Sequence, residues 1–117
     1  MELSDLVRAL LTGDLLTARQ WVADAKRASF DWEHVARPSD LDSLGMAVAA
    51  AMTELLARRS GATPPKWTRE IGRQDAPVFL DPGIEEMPRT MARLRTEAPE
   101  VLRDRNLFAT ADFLDFR

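Results

Sequence analysis

The sequence predicts an all-α fold: a helical hairpin and a buried central helix, completed by short helices and a proline-rich C-terminal strap, in one domain over 1–117. Three observations lead there. Apolar residues in the first half recur at spacings of three and four, the period of a helix face. Glycines at 13 and 61 stop each of these runs where a helix needs a left-handed residue. All but one of the seven prolines lie between Pro64 and Pro99, so helices there must be short.

Ser4 is expected to cap the first helix, whose stripe is Leu3, Leu6, Val7, Leu10 and Leu11. Gly13 ends it and Asp14 caps the next. The second helix runs to about Ser29 with Leu15, Ala18, Val22 and Ala25 inward, and the short connection makes a hairpin. Phe30, Trp32 and Val35 occupy a connector ending at Pro38, which should lie over the core. Ser39 or Asp40 is then expected to cap a central helix reaching Ser60. It is apolar almost all round from Leu44 to Met52, the pattern of a buried helix.

Beyond Gly61 the pattern changes. Pro65-Lys66-Trp67 begins a short helical turn that finishes at Gly72, and Pro77-Val78-Phe79-Leu80 reads as extended. Asp81-Pro82-Gly83 is a turn sequence. Pro88 opens a fourth helix through Ala98, with Met91 and Leu94 inward, and Pro99 opens another to about Arg105. In the tail, Thr110 and Asp112 are expected to cap a last helical turn presenting Phe113 and Phe116.

Composition excludes several functions. A hydrophobic fraction of 45% with 30% charged residues is ordinary for a folded protein. The absence of cysteine removes disulfide and thiolate chemistry and makes a cytoplasmic address the expectation. The acidic start Met1-Glu2-Leu3-Ser4-Asp5 does not read as a signal peptide. The longest uncharged stretch, Ser43 to Thr53, is about half of the ~20 residues a membrane helix needs, so no membrane partner is expected. The net charge of −3 is well mixed along the chain, which argues against duplex binding as the main task.

Catalytic and metal chemistry find little support, and no cofactor is expected. His34 is the only histidine, and without cysteine a zinc site would rest on carboxylates almost alone. The carboxylate pairs Glu85-Glu86 and Asp40/Asp42 read more simply as solvated acids at turns and helix starts. The five glycines are scattered, and no phosphate-cradling loop is present. The hairpin begins its second helix with Leu15-Leu16-Thr17-Ala18, where a DNA-reading helix would carry polar and basic residues.

Two features remain as candidate partner contacts. The first is the arginine series Arg89, Arg93, Arg95, Arg103 and Arg105, which is either a salt-bridged surface or a docking patch for an acidic partner or RNA. The second is the aromatic tail with Phe108, Phe113 and Phe116. It either closes the core, the preferred reading because the small helical half needs cover, or anchors another chain.

The segments Pro65-Lys66-Trp67-Thr68, then Glu97-Ala98-Pro99-Glu100-Val101-Leu102-Arg103-Asp104-Arg105-Asn106-Leu107-Phe108, then Phe113-Leu114, carry a resemblance. They resemble a group of short, uncharacterised bacterial proteins in which P-x-W-T is followed by E-A-P-x-x-L-R-x-R-N-L-F and F-L. The opening Leu10 to Arg19 is similar to the same group, and the C-terminal likeness spans about half the chain. Some members carry a helix-turn-helix regulator ahead of this segment or are encoded beside toxin–antitoxin genes. The resemblance implies a non-enzymatic protein-binding module, an antitoxin-like or accessory member of a bacterial protein pair, and no catalytic residues. The alternative expectation is a small nucleic-acid-associated regulator using the Arg89–Arg105 patch. Another protein is the expected partner, nucleic acid the less favoured one, and a homo-oligomer is compatible with the sequence.

Overall fold

In the computed structural model, which describes residues 1–115, the first helix α1 spans Leu3–Leu11 and the second, α2, Leu15–Arg27. Gly13 joins them with φ at +75°, and the Asp14 carboxylate accepts the Thr17 N–H at 3.1 Å and the Thr17 hydroxyl at 2.6 Å. That cap and that glycine fold the hairpin as expected. Leu3, Leu6, Val7 and Leu10 are buried against Ala18, Trp21, Val22 and Ala25, whereas Leu11 turns outward and is 40% exposed.

Ser4 does not cap α1. It is the second residue of the helix and is buried, and its hydroxyl donates to Asp40 Oδ1 at 2.8 Å. Arg8 pairs with the same carboxylate. The Ser4 hydrogen bond first, and then Arg8, hold the Asp40 carboxyl below the usual aspartate value. With Asp40 committed to α1, the central helix α3 starts later than the sequence suggests. It spans Ser43–Arg59 and is capped by Asp42, which accepts the Gly45 N–H at 2.7 Å.

Every residue of α3 from Ala47 to Thr53 is fully buried, and the Thr53 hydroxyl is satisfied by the Ala49 carbonyl at 2.8 Å. Small side chains along this helix let α1 and the later segments approach it closely. Gly61 ends α3 with φ at +74°. The connector before α3 covers one end of the hairpin. There Trp21, Phe30 and Trp32 form a ring triangle with centroids 4.6–6.0 Å apart.

The second half wraps these helices. A 3-10 turn at Lys66–Glu70 places Trp67 so that its indole N–H reaches the Val35 carbonyl at 2.9 Å. The extended residues after Pro77 form strand β1, Val78–Phe79, which pairs in parallel with β2, Leu107–Phe108. Between the strands come a 3-10 turn at Ile84–Glu86, helix α4 at Pro88–Glu97 and helix α5 at Glu100–Arg103. The two-stranded pairing goes beyond the sequence expectation, which saw one extended segment and no partner for it. Residues 111–114 form a turn and not a capped helix: Phe113 N–H donates to the Thr110 carbonyl at 3.0 Å, and Leu114 takes φ of +55°.

The fold is all-α in character, with a main core under α1, α2 and α3 and a smaller cluster of Ile84, Leu94, Ala98 and Phe108 under α4. The radius of gyration, 13.3 Å, matches the ~13 Å of a single unit of this length, so the strap lies on the helices. Among the described residues no helix is long and apolar enough to cross a membrane.

Candidate protein-binding surface

The five arginines of the expected patch do not share one fate. Arg89, Arg93, Arg95 and Arg103 are exposed, and Arg105 is buried. The Arg105 guanidinium pairs with Glu54 of α3, donates to the Thr68 carbonyl at 2.6 Å, and reaches the Val101 carbonyl at 3.4 Å. Its Nε–H is buried without an acceptor among the described residues, a situation that costs about 1–3 kcal/mol. Arg105 is thus an internal tie between α3, the Thr68 turn and α5.

The residues after it divide the remaining structural work. Asn106 takes φ of +64°, which asparagine tolerates better than most residues, and its side-chain amide donates to the Gln74 carbonyl at 3.2 Å. Leu107 enters the main core and Phe108 the smaller cluster. Phe113 and Leu114 are buried in the main core. Phe108 and Phe113, expected as partner contacts or as core, are placed inside the fold, and Phe116 lies outside the described residues. The Arg-Asn-Leu-Phe segment and its Thr68 partner therefore serve packing.

Helix α4 has a different character. Leu94 is its only fully covered side chain, and Pro88 supplies its first turn. Phe79 and Phe108 stack beneath it with centroids 5.3 Å apart, and the Arg95 guanidinium lies 5.8 Å from each ring. Arg95 thus leans on the body of the protein. Arg89 and Arg93, four residues apart, share another face of the helix. Arg93 pairs with Glu97 at 3.3 Å, while the side chains of Arg89 and Arg103 have no charged or hydrogen-bonded partner among the described residues.

Beside α4 lies a feature absent from the sequence expectations. Leu11, Leu16 and Met87 are large apolar side chains exposed by 40%, 81% and 54%. Leu11 and Leu16 stand either side of Gly13 in the chain, where a Cβ built on Gly13 would lie 3.6 Å from the Pro82 ring, and Met87 stands at the start of α4. In the sequence Leu16 stands out only as a residue unsuited to reading bases. Its position beside the Gly13 stop, outside the helix stripe, was the available signal.

Asp81 anchors this corner. Its carboxylate accepts the Thr110 N–H at 3.2 Å. Burial pushes its pKa above the ordinary aspartate value, with Asp112 adding to the rise and Thr110 and Arg19 opposing it. The α1–α2 turn and the segment from Pro82 to α4 thus meet at Gly13, and each carries exposed apolar side chains, with the exposed Arg89 and Arg93 following on α4.

Other candidate chemistry is dispersed. His34 Nδ1 lies 2.8 Å from Asp31 Oδ2 with both side chains largely in water. Asp40 and Asp42 serve α1 and α3 as described, and Glu85 and Glu86 are exposed. Among the described residues no group of three His, Cys, Asp or Glu side chains is arranged to hold a metal ion. A groove of about 750 Å³ between the ends of α2 and α3 has an apolar floor including Phe30, Trp32 and Leu56. Its rim mixes Lys26 with Asp31 and Glu33, so it favours neither sign of charge. No known protein family, curated protein or solved structure matches this chain.

Proposed function

We propose that the chain is a non-enzymatic protein-binding module, an antitoxin-like or accessory member of a bacterial protein pair, acting in the cytoplasm. The observation that carries this reading is the set of large exposed apolar side chains on two segments that meet at Gly13 and Pro82: Leu11 and Leu16 at the α1–α2 turn, and Met87 at the start of α4, two residues before Arg89. An apolar centre with a polar, charged rim is the usual anatomy of a protein interface. Arginine forks at that rim favour a partner with surface carboxylates. The competing reading, a nucleic-acid-associated regulator using the same arginines, draws on Arg89 and Arg103 having no acidic partner. It is weakened by Glu85, Glu86 and Glu97 around α4 and by Leu16 at the point where a base-reading helix would begin.

The test is retention of a partner captured with the full chain from its host. Leu16→Ser and the pair Arg89→Glu/Arg93→Glu should each release that partner while melting like the parent. Retention by both variants would refute the assigned surface. Displacement of the partner by duplex DNA or RNA, with a steep salt dependence, would favour the nucleic-acid reading.

A further inference from the structure

A second site lies apart from α4, above the buried Arg105–Glu54 pair. A cleft of about 250 Å³ opens there, walled by Arg58, Ile71, Gly72, Arg73 and Asp104, with Arg105 and Glu54 at its base. We propose that this cleft binds a small oxyanion, a single phosphate group being the chemistry that fits it.

Four observations meet at this point. Arg58 and Arg73 are exposed on its walls, and their guanidinium groups have no ion-pair or hydrogen-bond partner among the described residues. Arg105 lies beneath them with its side chain only 9% exposed, and its Nε–H is buried without an acceptor. Three guanidinium groups face two carboxylates, one of which is already held by Arg105, so the lining keeps a net positive charge. A Cβ built on Gly72 would meet nothing within 4 Å, which leaves room over the backbone for a ligand.

The cleft is smaller than the ~300–1,000 Å³ of pockets for drug-sized ligands, a size suited to one anionic group. Planar guanidinium forks offer paired N–H donors that match phosphate oxygens.

The probe is inorganic phosphate, titrated into the full chain at low ionic strength and followed by calorimetry and by melting temperature. Saturable binding is expected, with a rise in melting temperature. Arg58→Ala/Arg73→Ala should weaken binding about tenfold or more, as loss of charge-assisted hydrogen bonds requires, without changing the melting temperature of the phosphate-free protein. Arg89→Ala/Arg93→Ala should bind phosphate like the parent. Absence of saturable binding would overturn the proposal, and so would binding that survives Arg58→Ala/Arg73→Ala. Equal loss in both double variants would show a general charge effect and would also overturn it.

Discussion

Breaking the Arg105–Glu54 pair should be among the most damaging single changes available in this chain. Both side chains are nearly enclosed, at 9% and 12% exposure, so neither charge can return to water when its partner is removed. Glu54→Met leaves the Arg105 guanidinium inside the protein with only the Thr68 and Val101 carbonyls. Arg105→Met leaves the Glu54 carboxylate and the Thr68 carbonyl without their donor. Removing one member of a buried pair costs about 3–5 kcal/mol, a large part of the ~5–15 kcal/mol by which such proteins are stable. For a chain of this length that is a fall of roughly 12–20 °C in melting temperature. The double variant Glu54→Met/Arg105→Met should recover at least about 2 kcal/mol relative to additivity, because replacing both charges removes the stranded one. Denaturant melts of the four proteins measure this directly. A single variant within about 0.5 kcal/mol of the parent, or strict additivity in the double, would refute the internal tie.

Two further outcomes follow from the same structure. Truncation after Arg105 removes Leu107, Phe108, Phe113 and Leu114, whose burial contributes about 8 kcal/mol before chain entropy is set against it, so the product should aggregate or lose its cooperative melt. Asp81→Asn should leave stability unchanged in acid and raise it at neutral pH. The folded protein holds the Asp81 proton more tightly than the unfolded chain, so the parent loses stability as pH rises from 3.8 through the raised folded value. A difference in melting temperature that stayed constant from acid to neutral pH would contradict this.

Much of the helical half was legible in the sequence because its signals are local. Gly13 and Gly61 mark helix ends, Asp14 caps α2, and the alanine-rich run of α3 reads as buried without reference to anything distant. Ser4 and Asp40 misled for the opposite reason. Each is a good cap by type, yet they bond to each other across the connector, which removes both from capping. The β1–β2 pairing was hidden because parallel strands have no turn between them to announce their register.

The arginine series shows the same limit more sharply. Side-chain type and helical spacing placed Arg105 with Arg89 and Arg93, although it points into the fold. The available hint lay elsewhere: Glu54 is the lone acid in an otherwise apolar stretch of α3, and a buried acid requires a cation. In the tail, preference for the core over an anchor rested on the need to cover the small helical half. The burial of Phe108 and Phe113 agrees with that preference.

The central claim is that partner contact falls on the α1–α2 turn and α4 and not on the groove beside Trp32. Amide hydrogen exchange of the full chain, free and bound to its captured partner, tests it most directly. Added protection should concentrate in residues 11–16 and 82–95, with little change in 22–33 and 56–62. Protection confined to 22–33 and 56–62, leaving the α4 segment as in the free protein, would contradict the account.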